Sequence, residues 1–235
     1  MKVRLTVEDD VAVITLDHPP LNIYDLEMRD ALVEALGAVA DHPDARALLL
    51  RAEGRNFSAG ADLSEFGTAP TIIEARRIRG DRDPWVPLWE LPQPTVVALK
   101  GHALGAGLEM ALLCDFRLAD VGTRPSLPET GLGMLPSAGG TQSLLRTLGP
   151  ARARPLVLTG VTFDPALVAR IVDDAEDVDI AAAAVARRLA ALPVAAARAA
   201  KRAARAALDL PLGEGLHTEK ALARSVRAGQ AGGAL

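Results

Sequence analysis

The chain has a single cysteine, Cys114, in 235 residues. An internal disulfide is therefore excluded, and a reducing, cytoplasmic setting is expected. Cys114 lies in an apolar run and reads as a buried, inert thiol. Aromatic residues make up 3 % of the chain, so alanine, leucine and valine must fill any core. No apolar run approaches the roughly eighteen residues of a membrane span, and the start MKVRLTVEDD has no apolar stretch of the signal-peptide kind. Positive charge is not in excess: the net charge is −4. That removes the general attraction to nucleic acid or to an anionic membrane. His18, His42 and His217 show no ligand spacing, and no metal is expected. His102 reads as a packed polar residue. Ser58 and Ser137 do not sit in G-x-S-x-G, which argues against a serine hydrolase.

What is present is a hydrophobic content of 49 %, enough for one large domain. The pattern is that of an α/β chain with short elements. Val3 to Val7 and Val11 to Leu16 read as a hairpin around Asp9-Asp10. Asp25 caps a helix with Leu32, Val33, Leu36 and Val39 on one face, stopping near Pro43. Ala47 to Leu50 is a short buried strand. Thr71 to Arg79 is expected to be helical, and the proline-punctuated Asp81 to Pro94 to be mobile. Phe116 to Ala119 is a strand. Helices are expected over Thr141–Leu148, Pro165–Ile171, Ile180–Leu192 and Ala195–Leu208, the last two split by Pro193. Arg198, Lys201, Arg202 and Arg205 share one helix face, which is expected to be solvated.

The chain is organised around Gly101 to Asp115, GHALGAGLEMALLCD. An apolar strand, Thr95 to Lys100, feeds a glycine-rich turn and then a helix. Free N–H groups at such a helix start favour negative charge. Glu109 follows one turn in. A dinucleotide fingerprint is not met, because Gly105-Ala106-Gly107 is followed by Met110 in the third glycine slot.

Two more stretches belong with this one: NFSAGADL (Asn56 to Leu63) and PSLPETGLGMLPSAGGTQ (Pro125 to Gln142). The three in this order, with twenty residues between Glu109 and Glu129, resemble the crotonase superfamily, the enoyl-CoA hydratase/isomerase group. The resemblance implies a spiral of ββα units over residues 1–192 and a helical C-terminal region over 193–235. It implies an acyl-CoA substrate, with coenzyme A entering as part of that substrate and no separate cofactor. It places two oxyanion-hole N–H groups on Ala61 and Ala106. It matches Glu109 to the acid that holds and deprotonates water, and Glu129 to the acid that protonates the α-carbon. Leu21, Asn22, Phe57, Ala59, Gly60, Asp62, Leu63, Gly105, Gly107 and Ser137 match positions along the CoA and acyl site, with Asp62 also expected to hold a turn. A homotrimer or a dimer of trimers is implied.

The sequence also departs from the family. Ser64 and Glu65 follow GADL where relatives often carry a basic residue. Ser137 replaces a common glycine. The end RSVRAGQAGGAL is expected to be a small flexible tail in place of a last helix. Hydration needs both acids. A one-acid isomerase, another acyl-CoA enzyme on this fold, or an inactive paralogue that assembles with an active relative are the alternatives.

Overall fold

The structure, a computed structural model, describes residues 1–65, 71, 82–173 and 176–232. Strands β1 (Val3–Glu8) and β2 (Val11–Leu16) form the expected antiparallel hairpin. Its turn uses positive φ at both Asp9 and Asp10, +51° and +62°, the backbone that a two-residue hairpin turn requires. From β2 onward the neighbours are parallel: β3 (Ala47–Ala52), β4 (Thr95–Leu99), β6 (Phe116–Ala119) and β8 (Arg170–Ile171), in the order β1-β2-β3-β4-β6-β8. A second, two-stranded parallel sheet joins β5 (His102–Leu104) to β7 (Arg124–Ser126). The chain leaves β4 for β5 at Gly101, with φ +52°.

Helix α1 (Leu26–Asp41) begins where Asp25 accepts a hydrogen bond from Met28 N at 2.9 Å. Its face Met28, Leu32, Ala35, Leu36 and Val39 packs with Ile14, Leu16, Leu48 and Leu50. Each large side chain so buried contributes roughly 1.5–3 kcal/mol. Val33 is only half-buried. The opposite face of the sheet carries Ala47, Leu49, Val96, Ala98 and Leu118. These pack with Ala181, Ala182, Ala186 and Ala190 of α6 (Val178–Ala190). A sheet covered on both faces explains why β4 is buried at every position. An alanine surface on α6 allows close approach, which is how a core poor in aromatics is closed.

Several expectations are corrected. Asp81–Pro94 contains a helix, α2 (Trp85–Glu90), anchored by buried Leu88 and Leu91. Asp83 accepts from Trp85 N at 2.7 Å and starts it. Pro165–Ile171 is not a helix. It is a 3₁₀ turn over Pro165–Leu167, followed by β8, whose residues find partners in Leu118 and Ala119 at the sheet edge. A helix that had not been assigned, α5 (Pro150–Thr159), precedes it; Pro150 suits its first position, but Pro155 inside it hid the pattern. The final stretch is helical as far as Gly232 in α8 (Leu212–Gly232), consistent with its alanine and arginine content. The helix expected over Thr71 to Arg79 lies outside the described residues, apart from Thr71.

The two alanine-rich helices, α6 and α7 (Val194–Ala206), part at Pro193 with a bend of 108°. No single helix among the described residues is long and apolar enough to cross a membrane. The basic face of α7 is solvated only in part: Arg202 is exposed, but Lys201 and Arg205 are not. Lys201 is 7 % exposed, with Nζ 2.6 Å from Asp115 Oδ2, and it donates to Gln93 O. Arg205 lies over the Trp89 ring at 4.5 Å. The Asp115 carboxylate also accepts from Thr95 N and Thr95 Oγ1. Seen along the sequence, Lys201 has no acidic partner at helical spacing; its partner lies 86 positions earlier and is brought near by the fold. Cys114 is buried, and burial pushes its thiol up to about 12, as an inert thiol should be.

Candidate active site

Three segments meet at one cavity of about 460 Å³. The first is the loop after β3. Tyr24 N donates to Gly60 O at 2.9 Å, and Asp62 N donates back to Tyr24 O. The C=O and N–H of one peptide plane point opposite ways. Tyr24's hold on Gly60 O therefore turns Ala61 N–H away from Tyr24. Asp62 Oδ1 accepts from both Ser64 N and Ser64 Oγ. Those hydrogen bonds hold its carboxyl below the usual carboxylate range, and they make Asp62 the turn holder that was expected.

The second segment is the turn into α3 (Ala106–Leu112). Gly105 has φ +49° and donates to Ser126 O. A Cβ on Gly60 would lie 3.7 Å from Ala106 N, so the two loops run side by side. Among the described residues neither Ala61 N nor Ala106 N has an acceptor. Both residues line the cavity.

Glu109 stands on α3 and is 2 % exposed. Its Oε1 accepts from Ala138 N at 2.9 Å and Gly140 N at 2.7 Å. Burial pushes its carboxyl up to about 7; the neighbouring Glu129 adds to this, and the two backbone N–H groups oppose it. Gly140 is obligatory for this packing, because a Cβ there would sit 2.9 Å from both Cγ and Oε1 of Glu109.

Glu129 comes from the third segment, a 3₁₀ turn over Pro128–Leu132 that ends at left-handed Gly133. Met134 N donates to Glu129 O at 2.9 Å and tightens the turn. Gly105 has no Cβ to meet Glu129 Oε1; one would lie 2.6 Å away. Glu129 Oε2 is buried with no hydrogen-bond partner among the described residues. Burial pushes this carboxyl up as well. Two carboxyl groups thus face one cavity, both pushed up by burial and one of them also held by two backbone donors.

The structure brings Ala59, Gly60, Ala61, Asp62, Leu63, Gly105, Ala106, Glu109, Glu129 and Ser137 to the cavity wall. It does not bring four others there. Phe57 is fully buried in the core, and Gly107 packs on Ser58. Asn22 is buried at φ +47°, with Nδ2 donating to Glu53 O and Asn56 O and Oδ1 accepting from His18 N. Leu21 is 41 % exposed, and its carbonyl accepts from Ala59 N. His102 is exposed rather than packed, with Nδ1 2.9 Å from Asn56 Oδ1.

Sequence reasoning missed Tyr24, Arg29 and Leu135 on the wall. Tyr24 and Trp85 stack at 5.0 Å between ring centroids, across 61 positions. It also missed Ala138 and Gly140 as donors to Glu109. A backbone donor leaves no side-chain signal; the only cue was the small-residue run SAGG after Pro136. Among the described residues no three His, Cys, Asp or Glu groups gather as metal ligands.

The family model described as Enoyl-CoA hydratase/isomerase matches residues 6–231. A probable enoyl-CoA hydratase of Mycobacterium tuberculosis is 36 % identical, over 94 % of this chain and 88 % of the relative. The 2,3-dehydroadipyl-CoA hydratase of Escherichia coli is 35 % identical, over 90 % of this chain and 85 % of the relative. Among solved structures, an enoyl-CoA hydratase from Bacillus anthracis superposes with TM-score 0.90 at 30 % identity, covering 97 % of this chain and 92 % of its own. A Thermobifida fusca protein described as a putative enoyl-CoA hydratase in complex with CoA gives TM-score 0.88 at 31 % identity, covering 98 % and 94 %.

Proposed function

Because the chain belongs to the enoyl-CoA hydratase/isomerase family and has its crotonase fold, we propose that it adds water across the 2,3 double bond of a 2-enoyl-CoA thioester. The observation that carries this reading is the pair of carboxyls, buried Glu109 and half-buried Glu129, on one cavity beside two backbone N–H groups without acceptors. In the proposed reaction Glu109 takes a proton from water as the oxygen bonds to the β-carbon. The displaced electron pair moves onto the thioester oxygen, giving an enolate. Ala61 N–H and Ala106 N–H hold that oxyanion, each contributing roughly 3–4 kcal/mol by analogy with acyl-transfer sites. Glu129 then protonates the α-carbon, so that H and OH are added in balance.

The two acids differ in their hydrogen bonds, while burial pushes both carboxyls up, Glu109 to about 7. Glu109 Oε1 is occupied by two backbone donors, which favour the ionised form of a base. Glu129 has no such donors on its buried Oε2, which favours the protonated form of an acid. In this reading coenzyme A enters with the substrate and no further cofactor takes part.

The test is loss of enoyl-thioester ultraviolet absorbance with 2-enoyl-CoA substrates of graded chain length, with products weighed by mass spectrometry. Hydration adds one water; isomerisation adds none. No turnover at any length would defeat the proposal. We also propose a homotrimer-based assembly, which light scattering at micromolar concentration tests directly; a monomer refutes it.

A further inference from the structure

We propose that Ser58 is a positioning residue that ties the Ala61 loop to the Ala106 loop and thereby fixes the spacing of their two N–H groups. The inference rests on the functional reading given above. Ser58 is 1 % exposed and does not line the cavity. Nevertheless it is bonded to both loops. Its Oγ accepts from Gly60 N at 3.1 Å, one residue before Ala61. Its backbone N donates to His102 O at 3.0 Å, and its carbonyl accepts from Leu104 N at 3.0 Å, two residues before Ala106. Next to the start of α3, Gly107 leaves room for it: a Cβ there would lie 2.7 Å from Ser58 Cβ and 3.0 Å from Ser58 Oγ. Leu104 before Ala106 is therefore bonded to this one residue, and Gly107 after it packs on it.

The tie has a firm anchor. Ser58 Oγ donates to Asn22 O at 2.7 Å. Asn22 cannot drift, because both ends of its side-chain amide are bonded to backbone. The hydroxyl is thus a two-sided link: one hydrogen bond to a fixed turn, one to the loop that aims Ala61 N–H. Alanine at 58 keeps the β-bridge to β5 but removes the link to Gly60 and Asn22. Gly60 N and Asn22 O are then left without partners in a buried place, and the loop relaxes to find new ones. Oxyanion donors work at 2.7–3.1 Å from the developing charge, and a misplacement of about 1 Å can cost on the order of 10²-fold.

The experiment is Ser58→Ala in the full chain, compared with Leu36→Ala in the core between α1 and the sheet. For 2-enoyl-CoA turnover, Ser58→Ala should lower kcat by roughly 10- to 100-fold while KM changes by less than about threefold. The thioester carbonyl stretch of bound acyl-CoA, read by difference infrared spectroscopy, should shift back toward its value in water. Leu36→Ala should lose thermal stability with no carbonyl shift. Backbone amide exchange should accelerate at Gly60 and the residues beside it in Ser58→Ala alone. An unmoved carbonyl stretch with kcat within about twofold of wild type overturns the proposal, as does an equal shift in Leu36→Ala. The exchange measurement separates the two readings: coupled loops in a protein with no enoyl-CoA turnover would uphold the tie and defeat the hydratase assignment.

Discussion

Glu109→Gln separates chemistry from stability more sharply than any other change in this protein. Glutamine has nearly the same volume, and its carbonyl oxygen can keep both hydrogen bonds from Ala138 N and Gly140 N. The fold is therefore retained, while proton transfer at this position is lost. General acid–base contributions are about 10²–10⁴-fold, and turnover should fall by that amount. KM should change little, since the proposed oxyanion donors are backbone groups. The same variant reads out the buried charge. Glu109 is raised from 4.5 to about 7 in the folded protein. Between those values the folded state binds the proton that the unfolded state has released. The contribution is thus fully present below about pH 4.5 and is lost as pH rises through about 7. At about 1.36 kcal/mol per unit, wild type should lose roughly 3 kcal/mol of stability relative to Glu109→Gln across that window. Urea unfolding of both proteins from pH 4 to pH 8 measures it. Near-normal turnover in the variant would refute the paired-acid mechanism. A stability difference that stays flat with pH would refute the buried, proton-binding carboxyl.

Glu129→Gln should also cost about 10²–10⁴-fold in turnover, and the double variant should fall well short of the product of the two losses; steady-state kinetics on all three decides it, and loss in Glu129→Gln alone would point to a one-acid isomerase. The acidic limb of the kcat profile should lie near pH 7, because Glu109 must be ionised to act as base; a profile flat from pH 5 to pH 8 would contradict this. Gly105→Ala should damage activity as Glu129→Gln does, since its Cβ would lie 2.6 Å from Glu129 Oε1 at a left-handed φ; unchanged kinetics would show that this contact does not set the carboxyl's place. Lys201→Met should destabilise by about 2 kcal/mol in urea, as it removes charged hydrogen bonds to Asp115 and Gln93 O while Arg205 stays near Asp115; no loss would mean that the C-terminal helices do not depend on this link.

Much of the fold was legible in local pattern, and the reason is the same in each case. The hairpin around Asp9-Asp10, the Asp25 cap and the apolar β4 strand are fixed by interactions within a few residues or by burial on both sheet faces. So is the central turn, whose glycines state a backbone need in the sequence itself. The three motifs, taken together, also carried the family. Where elements were misread, the signal was not local. Arg170 and Ile171 are a strand because Leu118 and Ala119 offer an open sheet edge. Trp85–Glu90 is a helix because Leu88 finds a core to enter.

The site divides along the same line. The sequence by itself singled out the residues proposed to carry the chemistry: two acids and two backbone donors in recognisable turns. Only the tertiary structure decided what those residues can do. Glu109 becomes a group that titrates near neutrality because the fold buries it beside Glu129, while Ala138 N and Gly140 N, aimed at one oxygen, oppose the rise. Glu129 meets it because Gly105 has no side chain to keep it away. Lys201, which local spacing left on a solvated face, is held instead by Asp115. A proton's affinity and a charge's partner depend on desolvation and on atoms distant in sequence, and neither exists until the chain has packed.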